Sequence, residues 1–326
     1  LSLRREASRF EEVWTILVEE WGWAAIEDEE WQAFTAVPRP SRQVEANATL
    51  APAAQPGAPP FQAPAVTPHF VGRQAVQAEI EQFLLNGDQP VALVGMGGVG
   101  KTTLAAASAR RLHPHFPDGV LWASVAVSDP LDILNSWARA YGHDYGGLAD
   151  VESRAAAVRS LLAPKRVLIV LDDVGLPGSV KALLPNSVNA AVLMTTRSED
   201  AAVSLQSRVL RPAELATAES LELLSSMVGT ARVDAQREDG TELCTLLHNL
   251  PLAVEIAGQL LAARGHRSLG QLATRLRDAQ NRLDLGIADR DVRASFLVSW
   301  ETLDANHRAL FSHMGLFAGR AFTAPA

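Results

Sequence analysis

Gly95-Met96-Gly97-Gly98-Val99-Gly100-Lys101-Thr102-Thr103 is the stretch that decides the fold of this chain. It fits the pattern G-x-x-x-x-G-K-[ST], in which glycine backbone N–H groups curl around a polyphosphate at the N-terminus of a helix. Residues 90–94 before it are apolar and predict a buried strand, and residues 102–112 after it predict a helix. Because the motif requires a strand, a glycine loop and a helix in this order, the sequence predicts a nucleotide-binding loop.

This loop supplies most of the predicted contacts to ATP or ADP. Lys101 is expected to neutralise the β- and γ-phosphates, and the Thr102 hydroxyl is expected to coordinate Mg²⁺. The residues predicted to bind the nucleotide here are Gly97, Gly98, Val99, Gly100, Lys101, Thr102 and Thr103.

A second candidate site follows the apolar strand 167–171, which ends in Asp172 and Asp173. Ligands of an open α/β sheet lie at the carboxyl ends of its strands, where a carboxylate can hold Mg²⁺ beside phosphates. We therefore assign Asp172 to the metal and Asp173 to the water that attacks the γ-phosphate. The alternative is a solvated strand end, because aspartate is common in turns.

Arg197 follows a further apolar strand, residues 190–194, and the polar pair Thr195-Thr196. If this strand lies beside the strand that carries Asp172, Arg197 projects toward the γ-phosphate and can stabilise transition-state charge. An ordinary surface arginine is the alternative interpretation.

Composition excludes several classes of function. The chain has 326 residues, 48% of them apolar, and a net charge of −8, so it lacks the electrostatic footprint of direct nucleic-acid binding. Its one cysteine, Cys244, rules out an intramolecular disulfide framework and indicates a reducing compartment, which predicts a cytoplasmic location. No apolar run approaches the length of a membrane span, so no membrane contact is expected.

The pattern along the chain predicts five segments. Residues 1–36 form an acidic helical unit, with nine acidic and three basic residues and four of the seven tryptophans. This unit is interpreted as a helical hairpin packed on the next domain, a partner-binding helix, or the end of a truncated effector domain. Residues 37–66 are rich in Ala and Pro and predict a semi-rigid linker.

Residues 67–213 alternate apolar runs with helical patterns, which predicts an α/β domain with a parallel sheet and helices on both faces. Residues 214–285 predict consecutive helices, and residues 290–318, within the last segment 286–326, begin another helical unit. The predicted strands are 90–94, 120–125, 167–171, 190–194 and 208–210. The predicted helices are 73–86, 102–112, 131–141, 152–162, 199–204, 217–228, 238–248, 251–264 and 268–278.

These motifs, in this order, resemble the NB-ARC family of STAND signalling ATPases, to which plant disease-resistance proteins and the animal apoptosome scaffold belong. The resemblance spans about residues 68–326. Phe70-Val71-Gly72-Arg73 is similar to the family's opening motif, and the resemblance implies that Phe70, Val71 and Arg73 contact the adenine. The P-loop, the strand ending in Asp172-Asp173 and the run Thr195-Thr196-Arg197 are similar to the family's next three motifs.

Asn249-Leu250-Pro251-Leu252-Ala253 resembles the family's G-L-P-L motif, with Asn249 in the place of glycine. The resemblance implies that Pro251 covers the adenine. Proline suits the first position of a helix because it has no N–H to leave unpaired, and asparagine tolerates the left-handed conformation. Residues 299–303, followed by Leu310-Phe311 and Leu316-Phe317, resemble the start of the family's winged-helix domain. The family's M-H-D latch is expected beyond the chain end, so we interpret the chain as a fragment of a longer protein.

The resemblance implies a P-loop NTPase domain, a helical ARC subdomain and an incomplete winged helix. It implies a switch that binds ADP or ATP with Mg²⁺, hydrolyses ATP slowly with Asp173, Lys101 and Arg197, and self-associates in the ATP state. The sensor repeats and the effector are expected outside this fragment. A constitutive ATPase of motor type and a binding module with a structural nucleotide remain alternatives.

Overall fold

The computed structural model describes residues 59–86, 89–175 and 177–282. The predicted acidic unit 1–36, most of the predicted linker and the predicted helical unit 290–318 therefore lie outside the described residues. None of the helices in these ranges combines the length and the apolar character that a membrane span requires.

A five-stranded parallel sheet forms the centre of the α/β part. Its strands lie in the order β2-β3-β4-β1-β5, so β1 and β4 are adjacent in the middle of the sheet. Short apolar runs that are buried on both sides are typical of such a sheet, and every residue of β1 is buried. The strands are β1 (Val91–Val94), β2 (Gly119–Ser124), β3 (Val167–Val174), β4 (Ala191–Thr196) and β5 (Arg208–Leu210).

Helices cover both faces of this sheet, as predicted, because alternate strand residues point to opposite sides. On one face Leu93 and Val170 pack against α1 and α2, and on the other Ala92 and Ile169 pack against α3 and α4. The helices are α1 (Gln74–Asn86), α2 (Lys101–Leu112), α3 (Pro130–Ala140), α4 (Val151–Leu162), the short α5 (Pro177–Val180) and α6 (Glu199–Ser204).

A helical subdomain with its own core follows the sheet. It contains α7 (Thr217–Val228), α8 (Thr230–Ala235), α9 (Arg237–Leu246), α10 (Pro251–Ala263) and α11 (Leu269–Arg282). The sequence predicts α7 at its observed bounds but misses α8. This short helix follows Gly229, whose φ of 93° ends α7.

The first described residues depart from the predicted linker 37–66. Phe61 forms a parallel bridge with Val120, the N–H of Gln62 donates to the Val120 carbonyl oxygen (2.9 Å), and the Val120 N–H donates to the Pro60 carbonyl oxygen (2.8 Å). The Phe61 ring also packs against the core between α2 and the sheet. The packed region therefore begins before residue 66, because this short segment satisfies the backbone groups at the outer edge of β2.

Candidate functional site

The glycine loop joins β1 to α2 and opens the N-terminus of that helix. Gly98 (φ 81°) and Gly100 (φ 90°) lie in the left-handed region, which glycine adopts without strain. Gly100 is the N-cap of α2, and in the described structure no side chain caps this helix end. The first N–H groups of α2 are therefore directed toward the loop, as an anion site requires.

Lys101 lies in the first turn of α2 and is almost fully buried, with 8% of its surface exposed. Its Nζ donates to the carbonyl oxygens of Gly95 and Met96, each at 2.8 Å. Burial lowers the pKa of Lys101, and the positive charge of Arg197 lowers it further, while Asp173 and Asp172 oppose the shift. The ammonium group is thus held against the loop backbone.

Thr102 and Asp172 form the candidate Mg²⁺ site. The Thr102 hydroxyl donates to Asp172 Oδ1 at 2.8 Å, which brings α2 and the end of β3 together. Both groups offer oxygen atoms, the ligand type that Mg²⁺ prefers, so this pair fits the ion. In the described ranges no group of three or more His, Cys, Asp or Glu side chains could hold a metal, so phosphate oxygens and water would complete the coordination.

Asp173 and Arg197 lie next to each other at the carboxyl ends of β3 and β4, close to the glycine loop. The expected role of Arg197 requires that its strand lie beside the strand that carries Asp172, and β4 does lie beside β3 in the sheet. Arg197 Nε is 4.0 Å from Asp173 Oδ1, and both side chains are more than half exposed. A Cβ atom placed on Gly97 would be 3.6 Å from the guanidinium carbon of Arg197. This side chain therefore reaches the glycine loop.

A cleft adjoins the other side of the loop and encloses about 340 Å³ of empty space, part of it open to solvent. Seven of the predicted binding residues meet here, although they come from three separate parts of the sequence: Phe70, Val71, Arg73, Val99, Gly100, Thr103 and Pro251. The other predicted site residues are not among those that line this cleft: Gly97, Gly98, Lys101, Thr102, Asp172, Asp173 and Arg197.

Arg73 lines this cleft, but its guanidinium group donates its hydrogen bonds to backbone carbonyl oxygens. Nη2 donates to the Val99 carbonyl oxygen at 3.0 Å, and Nη1 donates to the Ala213 carbonyl oxygen. Burial lowers the pKa of Arg73, and the carboxylates of Glu219 and Glu214 oppose this shift. Arg73 thus ties the glycine loop to the segment that leads into the helical subdomain, a contact that the adenine-binding expectation does not include.

The helical subdomain closes the cleft through the turn before α10. Asn249 has a φ of 54°, so asparagine adopts the left-handed conformation expected of it. Pro251 is the first residue of α10, as predicted, and its Cγ would lie 3.7 Å from a Cβ atom on Gly100. The next backbone N–H, that of Leu252, donates to the Gly98 carbonyl oxygen at 3.2 Å.

Five lining residues were not predicted: Thr67, His69, Leu215, Leu223 and Glu255. Glu255 follows Pro251 by four residues, so helical spacing alone places both on one face of α10. Burial raises the pKa of Glu255, and the charge of His69 opposes this shift. His69 is itself held by Ser226, since the two side chains are 2.8 Å apart. No sequence signal marks Leu215 or Leu223, because their position depends on how the helical subdomain packs.

The sheet order, the glycine loop and the Thr102–Asp172 pair define a P-loop NTPase fold. Residues 73–234 match the profile of the NB-ARC domain. The chain belongs to the NB-ARC family.

Known proteins with similar sequences include bacterial regulators and plant resistance proteins. The chain is 35% identical over 272 residues to regulatory protein AfsR of Streptomyces griseus, covering 80% of this chain and 28% of that protein. It is 32% identical over 215 residues to probable disease resistance RPP8-like protein 4 of Arabidopsis thaliana, covering 59% of this chain and 23% of that protein. The chain thus spans about a quarter of the length of these relatives.

A solved structure supports the fold. The STAND protein with a tetratricopeptide repeat sensor from Pyrococcus horikoshii superimposes with a TM-score of 0.50 at 16% identity. The superposition covers 79% of this chain and 36% of that one. At this identity the likeness concerns the fold alone.

Proposed function

We propose that this chain is the nucleotide-dependent switch of a larger regulatory protein. ADP bound in the cleft holds the α/β part and the helical subdomain together, and exchange for ATP favours an open, self-associating form. Slow hydrolysis of ATP returns the chain to the closed form. Such a switch requires that the two nucleotides bind the two conformations with different affinity.

The observation that carries this proposal is that both subdomains contribute to one cleft beside the P-loop. Pro251 and Glu255 come from α10, whereas Val99 and Gly100 come from the loop itself. A nucleotide placed here would contact both, so its binding free energy would stabilise their closed arrangement. A purely structural nucleotide would not need the carboxylates at the end of β3.

The proposed hydrolysis uses residues that lie within reach of the loop. Asp173 orients the attacking water, Arg197 stabilises charge on the γ-phosphate, and Lys101 neutralises the β- and γ-phosphates. Thr102 and Asp172 would hold Mg²⁺, which when bound supplies positive charge to the phosphates. Arg197 and Asp173 are 4.0 Å apart (Nε to Oδ1), so a γ-phosphate bound by Arg197 and a water bound by Asp173 would lie side by side.

The biological setting of the switch is also part of the proposal. By analogy with the named regulatory and disease-resistance relatives, the output is expected from segments that this chain does not contain. Its single cysteine, Cys244, is buried, which suits a reducing, cytoplasmic compartment.

The experiment that tests this function is nucleotide binding by the stripped chain. Calorimetric titration with ADP should give a measurable dissociation constant, and Lys101→Ala should weaken binding at least about a hundredfold, because the β-phosphate charge is left uncompensated in a partly desolvated site. Small-angle scattering should show a smaller radius of gyration for the ADP-loaded chain than for the stripped chain.

Lys181→Ala is the matched control, since Lys181 is exposed and lies outside the cleft. It should bind ADP with the parent's dissociation constant. Equal affinity of Lys101→Ala and the parent would overturn the phosphate-loop assignment, and identical scattering with and without ADP would overturn the switch.

A further inference from the structure

Thr195 contacts both aspartates of the candidate site through a single hydroxyl group. It is buried, with 1% of its surface exposed, and lies on β4 next to β3. Its Oγ1 donates to Asp172 Oδ1 at 2.6 Å and accepts from the backbone N–H of Asp173 at 2.9 Å. The directions are fixed, because a carboxylate accepts, an N–H donates, and the hydroxyl has one hydrogen.

The first consequence concerns the orientation of the Asp172 carboxylate. Its Oδ1 accepts from two hydroxyls, those of Thr195 and Thr102 (2.8 Å). These donors come from β4 and α2, on different elements, so the carboxylate is fixed from two directions. A carboxylate held in this way can offer its second oxygen to a cation without losing side-chain freedom on binding.

The second consequence concerns the backbone of Asp173. Its φ of 55° is in the left-handed region, unusual for a residue within a strand, and the register of β3 against β4 shifts between Leu171 and Val174. Such a conformation persists where the surroundings hold it, and here the Asp173 N–H is bound by the Thr195 hydroxyl. The bulge leaves Asp172 buried and Asp173 exposed, although they are adjacent in sequence.

We infer that Thr195 is a positioning residue that gives the two aspartates their separate roles. Its hydroxyl fixes the Asp172 carboxylate for Mg²⁺ and holds the Asp173 backbone so that its carboxylate lies beside Arg197. This inference rests on the proposed function, since both roles concern a bound nucleotide. A purely structural role, in which Thr195 only joins β3 to β4, makes a different prediction about Mg²⁺.

The test compares the affinity of the 326-residue chain for ADP with Mg²⁺ and with EDTA. Thr195→Val keeps the shape of the side chain and removes both hydrogen bonds. We expect it to lower the ratio of the two affinities at least about fivefold, with affinity in EDTA unchanged, because of the two lost bonds only the one to the Asp172 carboxylate acts through Mg²⁺. Thr195→Ser retains the hydroxyl and should restore the ratio.

Thr196→Val is the matched control for a structural role. Thr196 is fully buried on the same strand, and its hydroxyl donates to the Val174 carbonyl oxygen at 2.6 Å and accepts from the Ser198 N–H at 3.0 Å. It should lower the melting temperature of the nucleotide-free chain without changing the Mg²⁺ ratio. If Thr195→Val is not folded, Thr195→Cys, with a weaker donor of similar size, should show the same loss of ratio.

Two outcomes would overturn the inference, and they are distinguishable. If the parent binds ADP with a clear Mg²⁺ effect and Thr195→Val shows the same ratio as Thr196→Val, Thr195 has only a structural role. If the parent binds no ADP under either condition, the proposed function fails and the inference fails with it.

Discussion

The backbone N–H of Leu252 donates to the carbonyl oxygen of Gly98 across 3.2 Å. This hydrogen bond joins the first turn of α10 to the glycine loop, so a helix of one subdomain contacts the phosphate-binding element of the other. Pro251 stands beside it and has no N–H of its own, so Leu252 supplies the first donor of the helix. A change in the conformation of the glycine loop can therefore act directly on α10 of the helical subdomain.

Pro251→Gly should weaken ADP binding about five- to tenfold, the equivalent of about 1 kcal/mol. The variant loses the apolar ring next to Gly100 and lets the turn before α10 adopt more conformations when the cleft is empty. Calorimetric titration measures this change, although the substituted residue contacts no phosphate.

Pro164→Gly is the control, because Pro164 is exposed in the turn between α4 and β3 and lies outside the cleft. It should leave the affinity for ADP unchanged. If Pro251→Gly binds ADP as tightly as Pro164→Gly, the helical subdomain does not take part in the site.

The two aspartates at the end of β3 should respond differently to neutralisation. Asp173→Asn should keep ATP bound but slow phosphate release at least about tenfold, because the attacking water loses its carboxylate partner. Asp172→Asn should instead reduce the gain in affinity that Mg²⁺ provides. Single-turnover phosphate release and titrations with Mg²⁺ or EDTA separate these effects.

Asp144→Asn, in an exposed loop after α3, serves as the control for both variants. It should hydrolyse ATP at the parent rate and keep the full Mg²⁺ effect. Parent-like hydrolysis by Asp173→Asn would show that this carboxylate does not act on the water.

The sequence predicts the central elements well because their signals are local. Apolar runs bounded by polar residues predict all five strands to within three residues, and β5 is predicted at its observed bounds. The end of β3 is the largest difference, since the strand continues through Asp172 and Asp173 to Val174. That extension depends on hydroxyl groups of β4, which lie more than 20 residues away in sequence. Local patterns contain no information on such contacts.

The residues of the candidate site also fall into two groups: those that local sequence patterns predict, and those whose position depends on contacts distant in sequence. Motif residues such as Val99 and Pro251 come together at the cleft, because each motif fixes its own turn. Arg73 reaches the site, but its bonds to Val99 and Ala213 depend on the path of the chain between the subdomains. The bridge formed by Phe61 is another tertiary effect. The Pro- and Ala-rich sequence around Phe61 favours an extended linker, and only the unpaired outer edge of β2 lets this segment pair with the sheet.

Two glycines of the loop should differ in their tolerance to alanine. Gly100 has a φ of 90°, so Gly100→Ala should destabilise the nucleotide-free chain by about 1–2 kcal/mol through backbone strain. The φ of Gly97 is not positive, and a Cβ atom there would make only ordinary contacts with Arg197 at 3.6 Å. The free energy of unfolding of Gly97→Ala should therefore stay within about 0.5 kcal/mol of the parent value.

Urea unfolding of the nucleotide-free chain measures both variants under the same conditions. The pair is matched, because each substitution adds one methyl group to the same loop. An equal loss of stability in the two would mean that steric contact, and not the left-handed backbone at Gly100, limits alanine in this loop.

Glu255 provides a pH-dependent prediction. Burial raises its pKa in the folded chain, and the opposing charge of His69 does not reverse the direction. A carboxyl group with a raised pKa binds its proton more tightly in the folded state, so its contribution to stability is lost as the pH rises from its ordinary value of about 4.3 through the folded value. At pH 7 the half-buried carboxylate therefore destabilises the nucleotide-free chain, and Glu255→Gln should raise its melting temperature. The advantage should shrink as the pH falls toward 4.3, because Glu255 then becomes protonated in both states.

Glu222→Gln, on the exposed face of α7, is the control and should show no such pH-dependent gain. A lower melting temperature for Glu255→Gln at pH 7 would instead mean that the carboxylate stabilises the fold, with attraction to His69 outweighing the cost of burial.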